Sequence, residues 1–205
     1  MSNVRPLFRR EVMVSKTRLI GTIVILAASL CASAEESKPT RIEKIAGPGG
    51  PLIVRIFEPP TNTSDTRAAI LLVHGGGWNT GDASWMDSDA TPYASLGMLA
   101  VSIDYRLSDG LTVTPFDALA DVRAAIRWMR AESRRLRIDP TKIAVLGESA
   151  GAHLAAAAAV ISEPYGSDIS AKPNVLILSS PAVSVAQLKS FQKLSGGPAQ
   201  AATGA

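Results

Sequence analysis

Residues 142–161 read KIAVLGESAGAHLAAAAAVI. The run KIAVL (142–146) is apolar and short, as expected of a strand buried on both faces. Gly147 to Gly151 form a G-x-S-x-G turn, and the spacing predicts an alanine-rich helix over 152–161. A serine between a buried strand and a helix has a specific chemical use. A sharp, strained turn lifts its hydroxyl clear of the sheet, and glycines two residues to either side let strand and helix pass without a Cβ clash. The helix N-terminus then favours negative charge developing beside that serine. Ser149 is therefore the candidate nucleophile. The pentapeptide alone would arise by chance in roughly one chain in fifteen of this length. Its place between strand and helix carries the argument.

Working outward, the pattern alternates strand and helix. The stretches 42–46 and 51–57, separated by Gly47-Pro48-Gly49-Gly50, predict an antiparallel hairpin. Buried strands are expected at 68–73 (AAILLV), 98–103 (MLAVSI), 142–146 and 174–179 (NVLILS). A helix is expected near 88–96. A longer one is expected over 115–136, with Pro115 at its start and Phe116, Leu119, Val122, Ile126 and Met129 at helical spacing. Its other face carries Arg123, Arg127, Arg130 and Arg134, which reads as a solvated face. Ile138-Asp139-Pro140 stops that helix. Alternating apolar strands and helices mean a mostly parallel sheet covered on both faces. No core pattern is visible in 195–205.

The strand at 68–73 runs into His74-Gly75-Gly76-Gly77-Trp78. Acyl transfer creates an oxyanion, and backbone N–H groups must already point at it. Glycines leave that backbone open to an approaching carbonyl oxygen. The N–H groups of Gly76 and Gly77, with that of Ala150 after the serine, are the expected donors. Phosphate binding is disfavoured. A Gly-Lys-Ser/Thr loop is absent, and Gly75, Gly77 and Gly81 miss the dinucleotide-binding spacing.

Composition narrows the setting. The chain has 205 residues, 46% hydrophobic and 19% charged, which excludes a disordered polypeptide and favours one domain. Its net charge is +3, from 21 basic and 18 acidic residues. Residues 1–34 hold five of the basic residues and one acidic, so the remainder has 16 against 17, a net −1. Nothing in that body argues for nucleic acid. The basic start, the apolar run 19–31 and Ala32-Ser33-Ala34 have the layout of a secretory signal peptide, cleaved near Ala34, with either Met1 or Met13 as the start. The apolar run, at 13 residues, is too short to span a bilayer. Cys31 is the only cysteine and would leave with that leader; a lipoprotein role for it is disfavoured by Leu30. The expected mature chain, 35–205, then has no thiol, and His74 and His153 are its only imidazoles. No metal or organic cofactor is implied.

HGGGW at 74–78, DYR at 104–106, the long helix before IDP at 138–140, and GESAGAH at 147–153 resemble the α/β-hydrolase carboxylesterases, over about residues 42–190. The feruloyl-esterase-like and hormone-sensitive-lipase-like branches are the most similar. The resemblance implies a three-layer α/β sandwich and a serine hydrolase acting on a small-molecule or polysaccharide-linked ester; the leader makes a secreted or periplasmic place the expectation. It implies a structural place for Asp104 and Arg106. Trp78 and Glu148 match positions that either line the site or pack.

A serine nucleophile needs a base and an acid to orient it, in the chain order Ser, Asp/Glu, His. After Ser149 the only histidine is His153, four residues along the same helix, which is poorly placed to approach the hydroxyl. His74 precedes the serine and begins the oxyanion loop. The acidic residues that follow are Glu163 and Asp168, both earlier than the family's triad acid. The sequence is therefore expected to correspond to the N-terminal two-thirds of an esterase, with triad acid and base outside it and the last strands missing. An inactive binding protein, or a parent enzyme acting on peptide or lactone bonds, are the alternatives. Oligomeric state and acyl specificity stay open.

Overall fold

A computed structural model describes residues 37–60, 66–162 and 167–182. The expected leader, Glu163 and the 195–205 segment lie outside the described residues. Strands β1 (Arg41–Ile45) and β2 (Leu52–Phe57) form the expected antiparallel hairpin, in register Arg41↔Ile56 to Ile45↔Leu52. Next come β3 (Arg67–Val73), a short 3-10 turn at Ala83–Met86, α1 (Asp87–Ser95) and β4 (Leu99–Ile103). They are followed by α2 (Pro115–Ala131), α3 (Ser133–Leu136), β5 (Ile138–Glu148), α4 (Ala150–Val160) and β6 (Val175–Ser179).

The six strands lie in the order β1-β2-β4-β3-β5-β6. β2 meets β4 antiparallel, and β4, β3, β5 and β6 run parallel. The pleat divides β3 between two cores. Ala69, Leu71 and Val73 face the layer containing α2 and α4, through Val122, Ile126, Met129 and Leu154. Ile70 and Leu72 face the other layer, against Met86, Ala90 and Ala94 of the α1 region. The chain leaves β3 toward β4 on one side, whereas β5 lies on the other side of β3. That reversal opens a crevice at the carboxyl ends of β3 and β5, where ligands bind in open α/β sheets.

Three expectations need correction. The helix expected over 115–136 breaks at Glu132, whose N–H turns back to the carbonyls of Trp128 and Arg130. After the single turn of α3, Arg137 closes it in the left-handed region at φ 52°. The break redirects the chain so that Leu136 and Ile138 are both buried.

The arginine face of α2 is not simply solvated. Arg123 donates to the carbonyl of Ile161 and Arg127 to that of Ile169. Arg130 reaches the carbonyls of Pro140, Ser170 and Lys172 and the Oδ1 of Asn174. Three arginines thus clasp the segment leading to β6, and Arg134 alone of the four is exposed without such a contact.

The third correction concerns β6, which is apolar as expected but not buried. It pairs with β5 alone among the described residues. Val175, Ile177 and Leu178 are 56%, 37% and 38% exposed. An apolar edge of this kind templates further pairing. Residues 35–205 expressed on their own should therefore self-associate at micromolar concentration. Lysines at Val175 and Ile177 should restore the monomer. A sharp monomeric boundary in sedimentation velocity for the unsubstituted chain, with a cooperative melt, would contradict this.

Candidate active site

The turn between β5 and α4 is set by two close passages. A Cβ on Gly151 would lie 2.1 Å from the Val73 carbonyl oxygen and 2.4 Å from that of His74. A Cβ on Gly147 would lie 2.4 Å from the Gly151 carbonyl oxygen. Only glycine fits either position. Between them Ser149 sits at φ 50°, ψ −112°, a left-handed backbone that few non-glycine residues adopt. Its N–H donates to the Ser179 carbonyl at the end of β6 (2.9 Å). Its side chain is solvent-exposed, and Ala150 begins α4 immediately behind it.

The glycine loop after β3 stands beside this turn. A Cβ on Gly75 would be 3.4 Å from the Ser149 Cβ and 3.3 Å from the Glu148 carbonyl oxygen. Gly76 and Gly77 continue the loop at φ 103° and 60°. The Gly76 carbonyl accepts the N–H groups of Asn79 and Thr80, which folds the loop back on itself. Among the described residues, none of the N–H groups of Gly76, Gly77 and Ala150 is spent on a hydrogen bond. All four residues expected from sequence, Ser149, Gly76, Gly77 and Ala150, are therefore on two adjoining turns at the β3/β5 crevice.

The loop rests on a buried polar layer. His74 is fully buried, and its ring stacks on Tyr105 at 4.2 Å. The His74 Nδ1 lies 2.7 Å from the Gly75 carbonyl, which fixes Nδ1 as the protonated nitrogen. The Tyr105 hydroxyl shares its one proton between the carbonyls of His74 (3.1 Å) and Gly75 (3.0 Å). Tyr105 went without a role in the sequence reading. The signal available was its place inside DYR, directly after a strand. Its neighbours are structural, as the resemblance implied. Asp104 caps the 3-10 turn by accepting the Ala83 N–H at 2.5 Å. Arg106 grips the buried carboxylate of Asp121 (2.9–3.1 Å), tying the end of β4 to α2.

Trp78 is buried in the core and meets the His153 ring edge-on at 5.5 Å, so it packs. Glu148 is exposed at the end of β5. His153 sits half-buried on the first turn of α4, and its N–H donates to the Ser149 carbonyl (3.1 Å). Asp168 is exposed. The His74 ring is engaged by Tyr105 and the Gly75 carbonyl, and the His153 ring meets Trp78.

Sheet order, crossover and turn together define an α/β hydrolase. The chain belongs to the BD-FAE family, which residues 54–187 match. Among sequence relatives, the esterase LipI of Mycobacterium tuberculosis is 38% identical over 115 residues, 55% of this chain and 35% of LipI. Rabbit (Oryctolagus cuniculus) arylacetamide deacetylase is 32% identical over 111 residues, 52% of this chain and 27% of that protein. Among solved structures, the apo form of Thermogutta terrifontis esterase 2 superposes with a TM-score of 0.69 at 30% identity, covering 78% of this chain and 64% of that one. A form of the same esterase phosphoramylated by tabun gives 0.68 at 30%, covering 76% and 61%. The chain thus spans about a third of the length of these sequence relatives.

Two outcomes follow from this geometry. Gly151→Ala should destabilise the protein by at least ~3 kcal/mol, the upper end of an overpacking cost. Gly77→Ala, whose Cβ would meet only Asn79 Oδ1 at 3.6 Å, should cost ~1–2 kcal/mol through its backbone angle alone. Urea unfolding of the two variants checks that order.

The second outcome concerns the histidines. Burial holds both imidazoles below the ordinary value of 6.5; for His74 the Gly75 carbonyl and the charges of Asp104 and Asp82 pull the other way without prevailing. The unfolded chain therefore binds more protons below pH 6.5, so this contribution to stability is complete above that pH and is lost as the pH falls. The lowered carboxyls of Asp82 and Asp117 act only further down, below their ordinary 3.8. The melting temperature should be flat above about pH 7 and decline between pH 6.5 and 5. Imidazole NMR titrations with midpoints at or above 6.5 would contradict the assignment.

Proposed function

We propose that the protein hydrolyses carboxylic esters through an acyl-enzyme on Ser149. The observation that carries this reading is the exposed serine at φ 50°, held on a turn with Gly75 against its Cβ. In the reaction, Ser149 Oγ attacks the acyl carbon and its proton passes to a base. The carbonyl oxygen takes the negative charge, and the N–H groups of Gly76, Gly77 and Ala150 stabilise it. The C–O bond then breaks, the alcohol leaves with the proton, and water repeats the sequence on the acyl-serine. His153, on the helix behind Ser149, and His74, stacked beneath the loop, are not that base. Base and acid come from sequence outside these 205 residues, in keeping with the greater length of the relatives.

The relatives support ester chemistry by name, as an esterase and the carboxylesterase NlhH of M. tuberculosis. Thermogutta esterase 2 has propionate-bound and butyrate-bound forms, so short acyl chains are the first substrates to assign here. We place that activity outside the cytoplasm on the ground of the signal-peptide layout expected in residues 1–34.

The protein expressed from its full reading frame should hydrolyse p-nitrophenyl butyrate. Ser149→Ala should lower kcat by roughly 10⁴-fold or more. Turnover retained in that variant would reject the serine mechanism.

A further inference from the structure

We propose that Tyr105 is a positioning residue that aims the Gly76 N–H at the oxyanion, a role that rests on the ester-hydrolase reading. A carbonyl and the N–H of the next residue belong to one rigid trans peptide and point in opposite directions. Fixing the Gly75 carbonyl therefore fixes the aim of the Gly76 N–H. That carbonyl is held from the buried side by two donors, the Tyr105 hydroxyl at 3.0 Å and His74 Nδ1 at 2.7 Å. The same hydroxyl holds the His74 carbonyl at 3.1 Å, one peptide earlier. The exposed side of the Gly75–Gly76 peptide is thereby left to the N–H.

The loop's own side chains cannot supply that anchor. Gly76 at φ 103° and Gly77 at φ 60° have no side chains to lock the peptide planes. An oxyanion donor works only when it is oriented before the charge develops. Tyr105 is suited to orient it. It is 3% exposed, on the segment leaving β4, and its ring is clamped flat against His74 with only 12° between the planes. Burial raises its hydroxyl well above the ordinary value of 10, so it stays a donor at every working pH. Neither Tyr105 nor its hydroxyl need touch the substrate.

Tyr105→Phe removes the hydroxyl and leaves the stacked ring. With glycine-selective ¹⁵N labelling, the Gly75, Gly76 and Gly77 amides should shift and broaden in this variant, while Gly147 and Gly151 stay sharp. Unchanged amides at 75–77 would overturn the proposal whether or not the protein is active. In the active protein, kcat for p-nitrophenyl butyrate should fall roughly 10- to 100-fold, less than the loss of a whole donor. KM should change by less than about twofold, because the ground-state carbonyl gains little from the donor. Affinity for a trifluoromethyl ketone, which adds to the serine as an oxyanion, should weaken by the same factor as kcat. A lowered melting temperature with kcat and inhibitor affinity intact would mean a structural role only, and would also overturn the proposal. If the variant does not fold, 3-fluorotyrosine at 105 retains ring and hydroxyl but strengthens the donor; inhibitor binding should then tighten, and no change would reject the assignment. Wild-type protein without esterase activity would reject the ester reading instead, with the amide spectra still deciding the role of Tyr105.

Discussion

At Gly151 the first turn of α4 passes 2.1 Å, measured from a notional Cβ, from the carbonyl at the end of β3. The crevice geometry depends on that passage. It draws the helix onto the strand ends and leaves Ser149 to absorb the turn in a left-handed backbone. It also puts the end of β3 beside the serine, so the glycines that follow β3 need no further element to bring them there. A side chain at either flanking glycine would push helix and strand apart, and serine and loop would separate with them.

Behind the loop the structure solves a polar problem. Three glycines in irregular conformation expose carbonyls that cannot all reach water. Tyr105 and His74 satisfy those of residues 74 and 75 from within, stacked on each other in a buried layer. Arg106, next in the chain, secures the same segment to α2 through the buried Asp121. Removing the guanidinium would leave that carboxylate buried without its ion partner, which is why a charged pair persists here. DYR therefore links three parts of the crevice: Asp104 the turn before α1, Tyr105 the glycine loop, and Arg106 the long helix.

The side of the sheet toward β6 is organised differently. The guanidiniums of Arg123, Arg127 and Arg130 grip the carbonyls of Ile161, Ile169, Ser170 and Lys172 ahead of it. Loops without regular structure must satisfy their backbone somewhere, and long donors from a neighbouring helix serve well. The same arginines read from sequence as a solvated face because helical periodicity reports which side of α2 faces away from the sheet. It does not report what lies across from that side.

The α/β alternation, the hairpin, the strand-turn-helix around Ser149 and the pairing of that turn with the glycine loop are all legible in the order of residues. These depend on local rules: apolar runs make buried strands, and glycines at fixed offsets make sharp turns. The sequence also shows that His74 and His153 are the only imidazoles, and that neither is well placed to serve as base. Other features depend on packing between distant elements. The break at Glu132 answers to the burial of Leu136 and Ile138, and the exposure of β6 to its place in the strand order. The role of Tyr105 depends on a hydroxyl meeting carbonyls thirty and thirty-one residues away in sequence. Such contacts are fixed by how strands are ordered across a sheet, and local periodicity carries no record of that order.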